Sequence, residues 1–134
     1  MAAILILDDD FELASQWRQA LMAEGYGVDL SHSSSEAIAI EDTDQFDLFV
    51  VDLLIKVDVP DMTDSGAVFL RHLARKYSDR IGRPPVIGVS GFKPLGMGQP
   101  VLGFFKAYRV DSYLLKPFPA ADLVREIKAL LEPA

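Results

Sequence analysis

The chain contains no cysteine. Disulfides and thiolate metal ligation are therefore excluded, and a reducing compartment fits. No run of about 18 uninterrupted apolar residues is present, so no stretch has the length to span a bilayer as a helix. No basic region precedes an apolar core at the N-terminus, as a signal peptide requires. Basic residues are the minority, 13 Lys and Arg against 20 Asp and Glu, for a net charge of −7. Without a basic cluster, such a chain is a poor nucleic-acid binder. Its charge suits attraction for cations, or for a basic patch on a partner. Internal repeats and low-complexity tracts are also missing. The 134 residues, half of them apolar, suit one domain with a real core.

What is present is an alternation of two periods. "AAILIL" (2–7) has the unbroken apolar character of a strand buried on both faces. From Phe11 to Glu24 the period turns helical through Leu13, Trp17, Ala20 and Leu21, and Gly25 stops it. "YGVDLSHS" (26–33) alternates like a strand, and Ser33 with Glu36 has capping-box spacing for a second helix to about Asp44. "FDLFVVDLL" (46–54) is a third strand. After the irregular "IKVDVPDMTDS", Phe69, Leu70, Leu73 and Tyr77 mark a third helix. "PPVIGVSG" (84–91) is a fourth strand, and "FKPLGMGQP" is too rich in Gly and Pro for helix. Val101, Phe104, Phe105 and Tyr108 predict a short helix, one of the two adjacent phenylalanines being a candidate partner contact. "DSYLLKPF" (111–118) is a fifth strand and turn. Leu123, Val124, Ile127, Leu130 and Leu131 predict a last helix, with Pro119 suited to its first turn.

Strand then helix, five times over, predicts an α/β fold with a parallel sheet and helices on both faces. Ligands in such sheets sit outside the carboxyl ends of the strands. There lie the acids of "ILILDDDF", Asp52 of the third strand, Ser90 of the fourth and Lys116 of the fifth. Adjacent carboxylates stay ionised where a cation compensates them. All-oxygen ligation favours a hard cation such as Mg²⁺. A carboxylate beside it can attack a phosphoryl group and form an acyl phosphate, with a lysine and a hydroxyl holding the phosphoryl oxygens. The residue types thus predict Mg²⁺-dependent phosphoryl transfer to an aspartate. The plainer readings are a helix cap and solvated charge for Asp8–Asp10, a turn for Ser90 and a surface position for Lys116.

With "ILILDDD", "LFVVDL", "VIGVSG" and "YLLKPF" in order, the chain resembles the response-regulator receiver domains of two-component signalling. The resemblance implies a flavodoxin-like (βα)5 sandwich of strand order 2-1-3-4-5. It implies Asp52 as phosphoacceptor, Asp8 and Asp9 as the Mg²⁺-binding acids with Asp9 the more direct, and the Leu54 main-chain carbonyl as a further ligand. Ser90 would be the switch hydroxyl, Lys116, followed by Pro117, the lysine, and Tyr113 the aromatic that changes rotamer. Asp10 has no metal role in the family, so its expected task is to cap the first helix. A histidine kinase or histidine phosphotransfer protein would supply the phosphoryl group. A protein target, not nucleic acid or membrane, would read the result. The expected form is a cytoplasmic monomer or weak dimer, a single receiver domain over 1–134 without an output domain, and not an enzyme beyond its own phosphorylation and dephosphorylation.

The chain departs from the family pattern between Asp52 and Gly66, which adds Asp58, Asp61 and Asp64, and between Ser90 and Lys116. The three added acids read as a solvated loop, or else as a second metal or partner contact. Leu54 and Phe92 stand where family members flank the hydrolytic water. Neither can orient water by hydrogen bonding, which implies slow dephosphorylation. Two other functions compete. A phosphatase of the haloacid-dehalogenase type would use the D-x-D spacing of Asp8 and Asp10, with Ser90 and Lys116. Glu12 is wrong for it, no paired acids follow the lysine, and Asp52 would have no task. A receiver-like interaction module that never carries phosphate is the other. His32 and His72 suggest no metal site, and His72, beside Arg71 and Arg75, reads as solvated surface.

Overall fold

The computed structural model describes residues 1–52, 66–78, 82–91 and 110–132. Strands β1 (Ala3–Leu7), β2 (Gly27–Ser31), β3 (Leu48–Asp52), β4 (Val86–Gly91) and β5 (Ser112–Lys116) form one sheet in the order β2-β1-β3-β4-β5. Every neighbouring pair is parallel. The described helices are α1 (Phe11–Ala23), α2 (Ser34–Thr43), α3 (Gly66–Lys76) and α4 (Ala120–Leu131). None of them is long and apolar enough to cross a membrane. The expected helix over Val101, Phe104, Phe105 and Tyr108 lies outside the described residues, as do Leu54, Asp58, Asp61, Asp64 and Phe92.

Unbroken apolar runs make strands here because successive side chains must each enter a different layer. Ile4 and Ile6 of β1, Leu48 and Val50 of β3, and Ile87 and Val89 of β4 pack with Trp17 and Leu21 of α1 and Leu123 and Ile127 of α4. The intervening Leu5, Leu7, Phe49, Val51 and Val86 pack with Ala37 of α2 and Phe69, Leu70 and Leu73 of α3. Each fully buried large apolar side chain contributes about 1.5–3 kcal/mol. Burial therefore outweighs local preference in α2, whose Ser, Thr, Asp and Ile each cost up to about 0.7 kcal/mol relative to Ala.

The helix ends follow local chemistry. At the end of α1, Tyr26 N donates to Leu21 O and Gly25 N to Met22 O, the paired bonds of a Schellman motif. Gly25 has φ 94°, a left-handed conformation that a side chain disfavours. The Ser33 side chain accepts from Glu36 N as the capping-box spacing predicts, while Glu36 reaches back to His32 N rather than to Ser33 N. This use of Ser33 ends β2 at Ser31, short of the expected 33. Pro119 does not enter the first turn of α4. It stands one residue earlier as an extended N-cap, and its carbonyl accepts from Asp122 N.

His72 is not solvated surface. It is 22% exposed, with Nε2 2.8 Å from Oε1 of the buried Glu41 and 3.6 Å from Asp42 Oδ1. Lys76 Nζ contacts the other Glu41 oxygen at 2.5 Å. Glu41, Asp42 and His72 lie close enough to share a metal ion, yet the Lys76 ammonium already compensates the buried carboxylate. The group is a staple between α2 and α3.

Candidate functional site

The sheet order reverses around β1 and β3, which opens a crevice at their carboxyl ends. Alternation decides which side chains enter it. Asp8 continues the parity of Ile4 and Ile6, Asp52 that of Leu48 and Val50, and Lys116 that of Leu114. All three therefore turn toward the layer that holds Trp17. Asp8 and Asp52 are each 2% exposed.

The three acids after β1 divide their tasks. Asp8 N donates to Ser31 O, which ties the end of β1 to β2, and Asp8 Oδ1 accepts from Asp10 N at 2.8 Å. Asp10 is the N-cap of α1, and its Oδ1 accepts from Leu13 N at 3.1 Å. Asp9 stands between them, half-buried. Asp8, Asp9 and Asp52 each present a carboxylate oxygen, all within 4.8 Å of one another.

Lys116, the last residue of β5, answers this charge. Its Nζ is 2.8 Å from Asp8 Oδ2 and donates to Asp52 Oδ2 at 3.1 Å. Among the described residues, the buried Asp8 Oδ2 has this ammonium as its one polar neighbour. Burial pushes the Asp8 carboxyl above the usual range, although the Lys116 ammonium opposes that shift. Burial would lower the Lys116 ammonium, but its contacts with Asp8 and Asp52 outweigh it and hold the pKa above the ordinary lysine value. Among the described residues, three carboxylates converge on the Lys116 ammonium. With carboxylate oxygens of Asp8, Asp9 and Asp52 all within 4.8 Å of one another, this all-oxygen set fits a hard divalent cation.

Ser90 is buried and stands next to last in β4. Register sets it between the two charged ends: Val89 pairs with Asp52, and Gly91 with Lys116. Tyr113 pairs with Gly88 in mid-strand and is 46% exposed. Its parity is that of Leu115, opposite to Lys116. The structure thus brings Asp8, Asp9, Asp52 and Lys116 together, sets Ser90 beside them, and puts Tyr113 on the other side of the sheet. It also reveals neighbours that the sequence pattern hides. The Lys116 ammonium is 5.8 Å from the ring centroid of Trp17. Trp17 stacks on Phe118 at 5.2 Å and 14°. Helical periodicity shows Trp17 only as core.

The sequence matches the family model described as response regulator receiver domain over residues 4–128. It is 30% identical over 131 residues to the transcriptional regulatory protein CpxR of Klebsiella pneumoniae, covering 98% of this chain and 50% of that protein. The chain thus spans about half the length of that relative. The fold is similar to that of a CheY-like response regulator receiver domain protein from Methanospirillum hungatei. There the TM-score is 0.71 and the identity 28%, over 96% of this chain and 91% of that one. A two-component response regulator from Clostridium difficile has the same fold, with a TM-score of 0.78 at 20% identity over 99% and 98% of the two chains. Such domains are phosphoacceptor signalling modules rather than classical enzymes, and with a model match over nearly its whole length this chain belongs to the response regulator receiver domain family.

Proposed function

We propose that this chain accepts a phosphoryl group on Asp52 from a histidine kinase or histidine phosphotransfer protein, in a reaction that needs Mg²⁺, and that the phosphorylated form changes a surface read by a protein partner. The observation that carries the reading is the Lys116 ammonium lying between Asp8 and Asp52 at the carboxyl edge. Asp8, Asp9 and Asp52 would hold the ion, with the Leu54 carbonyl as a further ligand. Bound there, Mg²⁺ neutralises phosphoryl oxygens that the acids would otherwise repel.

The Asp52 carboxylate oxygen attacks the phosphorus of the donor's phosphohistidine. The O–P bond forms as the P–N bond breaks, and the electron pair leaves on the imidazole nitrogen. Lys116 exchanges its contact with Asp52 for a phosphoryl oxygen, and the Ser90 hydroxyl donates to another. Burial of Asp52 limits access of bulk water to the acyl phosphate. Tyr113 and the inward movement of Ser90 would carry the change to the partner surface. Cytoplasmic location follows the same resemblance.

Intact mass with acetyl phosphate tests this. A gain of one phosphoryl group that needs Mg²⁺ and vanishes in Asp52→Asn supports the reading. Labelling that persists in Asp52→Asn and vanishes in Asp8→Asn would indicate phosphatase chemistry at Asp8. No labelling and no beryllofluoride binding would leave an interaction module that carries no phosphate.

A further inference from the structure

We propose that Trp17 is a positioning residue for Lys116: its indole, which also stacks with Phe118, holds the ammonium at the acid pocket and makes tryptophan emission a report of where that ammonium lies. The inference deepens the proposed function and rests on that reading for its kinetic half. Lysine carries its charge on a flexible four-carbon stem, so its position must be imposed from outside. The Asp8 and Asp52 carboxylates attract the ammonium from one side. On another side stands the indole, 5.8 Å from the ammonium to the ring centroid, inside the range of a cation–π contact. Trp17 is 1% exposed, so its ring cannot swing to solvent. The Phe118 ring lies nearly parallel to it and belongs to the turn two residues beyond Lys116. Pairing with β4 through Gly91 fixes one end of this segment, and the aromatic stack fixes the other. With Trp17 buried and Lys116 only partly exposed, the contact is a stronger constraint than one in open water.

The chain has a single tryptophan, so the contact can be read without labels. The first comparison is emission of the wild type and Lys116→Met, free of Mg²⁺ and phosphodonor. A change in intensity or wavelength on loss of the ammonium is expected, and identical spectra from the two folded proteins would overturn the contact. The second is the rate of acetyl phosphate labelling at saturating Mg²⁺, followed by intact mass. Trp17→Leu is expected to label about fivefold more slowly, the weight of one such contact, while Trp17→Phe, which keeps an aromatic face, stays within about twofold of the wild type. A folded Trp17→Leu protein labelling at the wild-type rate would overturn the positioning role, as would equal slowing in Trp17→Phe and Trp17→Leu. Should Trp17→Leu not fold, Phe118→Leu replaces it: slower labelling supports the role, and an unchanged rate overturns it. If the wild type takes no label and binds no beryllofluoride, the proposed function fails and the emission comparison alone decides the contact.

Discussion

Lys116 Nζ stands nearer to Asp8, at 2.8 Å, than to Asp52, at 3.1 Å. The lysine therefore acts as an internal counterion for the acid pocket as well as a partner of Asp52. Lys116→Met removes that counterion and leaves two buried carboxylates facing each other. At neutral pH it is expected to lower stability by on the order of 2 kcal/mol, less than for a fully buried pair because Lys116 is partly exposed. Mg²⁺ should then stabilise Lys116→Met more than the wild type, since the ion replaces the missing charge. Urea denaturation of both proteins with and without Mg²⁺ measures this, and equal Mg²⁺-induced shifts would contradict it.

Asp9 and Asp10 are adjacent and do different work. Asp10 is bonded to Leu13 N as a helix cap, and Asp9 belongs with Asp8 and Asp52. Asp10→Ala should cost about 1 kcal/mol of stability and leave Mg²⁺ affinity nearly unchanged. Asp9→Ala should weaken Mg²⁺ binding with little loss of stability. Calorimetric titration with Mg²⁺ and urea denaturation of the two variants give the four values needed, and a larger affinity loss in Asp10→Ala would reverse the assignment.

Between α2 and α3, the buried Glu41 carboxylate is held by Lys76 and His72. Lys76→Met leaves that carboxylate with the imidazole alone and should destabilise the fold by about 1–2 kcal/mol. A second change, Glu41→Met, removes the charge that caused the penalty. The double variant should regain part of the loss. A double-mutant cycle in urea would show additive losses if the two side chains acted independently.

The sheet was legible because its signal is local and strong. "ILIL" and "LFVV" have no arrangement compatible with water other than burial on both faces, and their alternation with helical periods implies the parallel order. The gathering of Asp8, Asp52 and Lys116 was legible for a related reason, since each ends an apolar run and parallel strands end at one edge. Contacts between helix and turn left no such mark. Trp17 and Lys116 are far apart in sequence, and the period that identifies Trp17 as core is blind to which strand end it faces. His72 was misread because its own helix shows only Arg71 and Arg75, while the carboxylates that hold it come from α2. Pro119 was misplaced by one residue because its fixed φ suits an extended N-cap as well as a first turn.

Tyr26 gives the fold a dependence on alkaline pH. Its hydroxyl donates to the Glu132 carboxylate just beyond α4. Burial, that hydrogen bond, and the charges of Glu132 and Glu24 push the phenol up from 10 to about 12. The unfolded chain releases this proton near pH 10, whereas the folded protein keeps it to about pH 12. Between those values the folded state binds more protons, so stability falls as pH rises; below pH 10 the contribution is intact. Lysines also titrate in this range, among them Lys76, which Glu41 raises, so the wild-type slope alone is ambiguous. Tyr26→Phe isolates the phenol. It should cost about 1 kcal/mol at pH 7 by removing the hydrogen bond, and its stability should fall less steeply than that of the wild type from pH 10 to 12. Urea midpoints of the two proteins should therefore converge as pH rises through that window, and midpoints that stay parallel would show that the folded and unfolded phenols titrate alike.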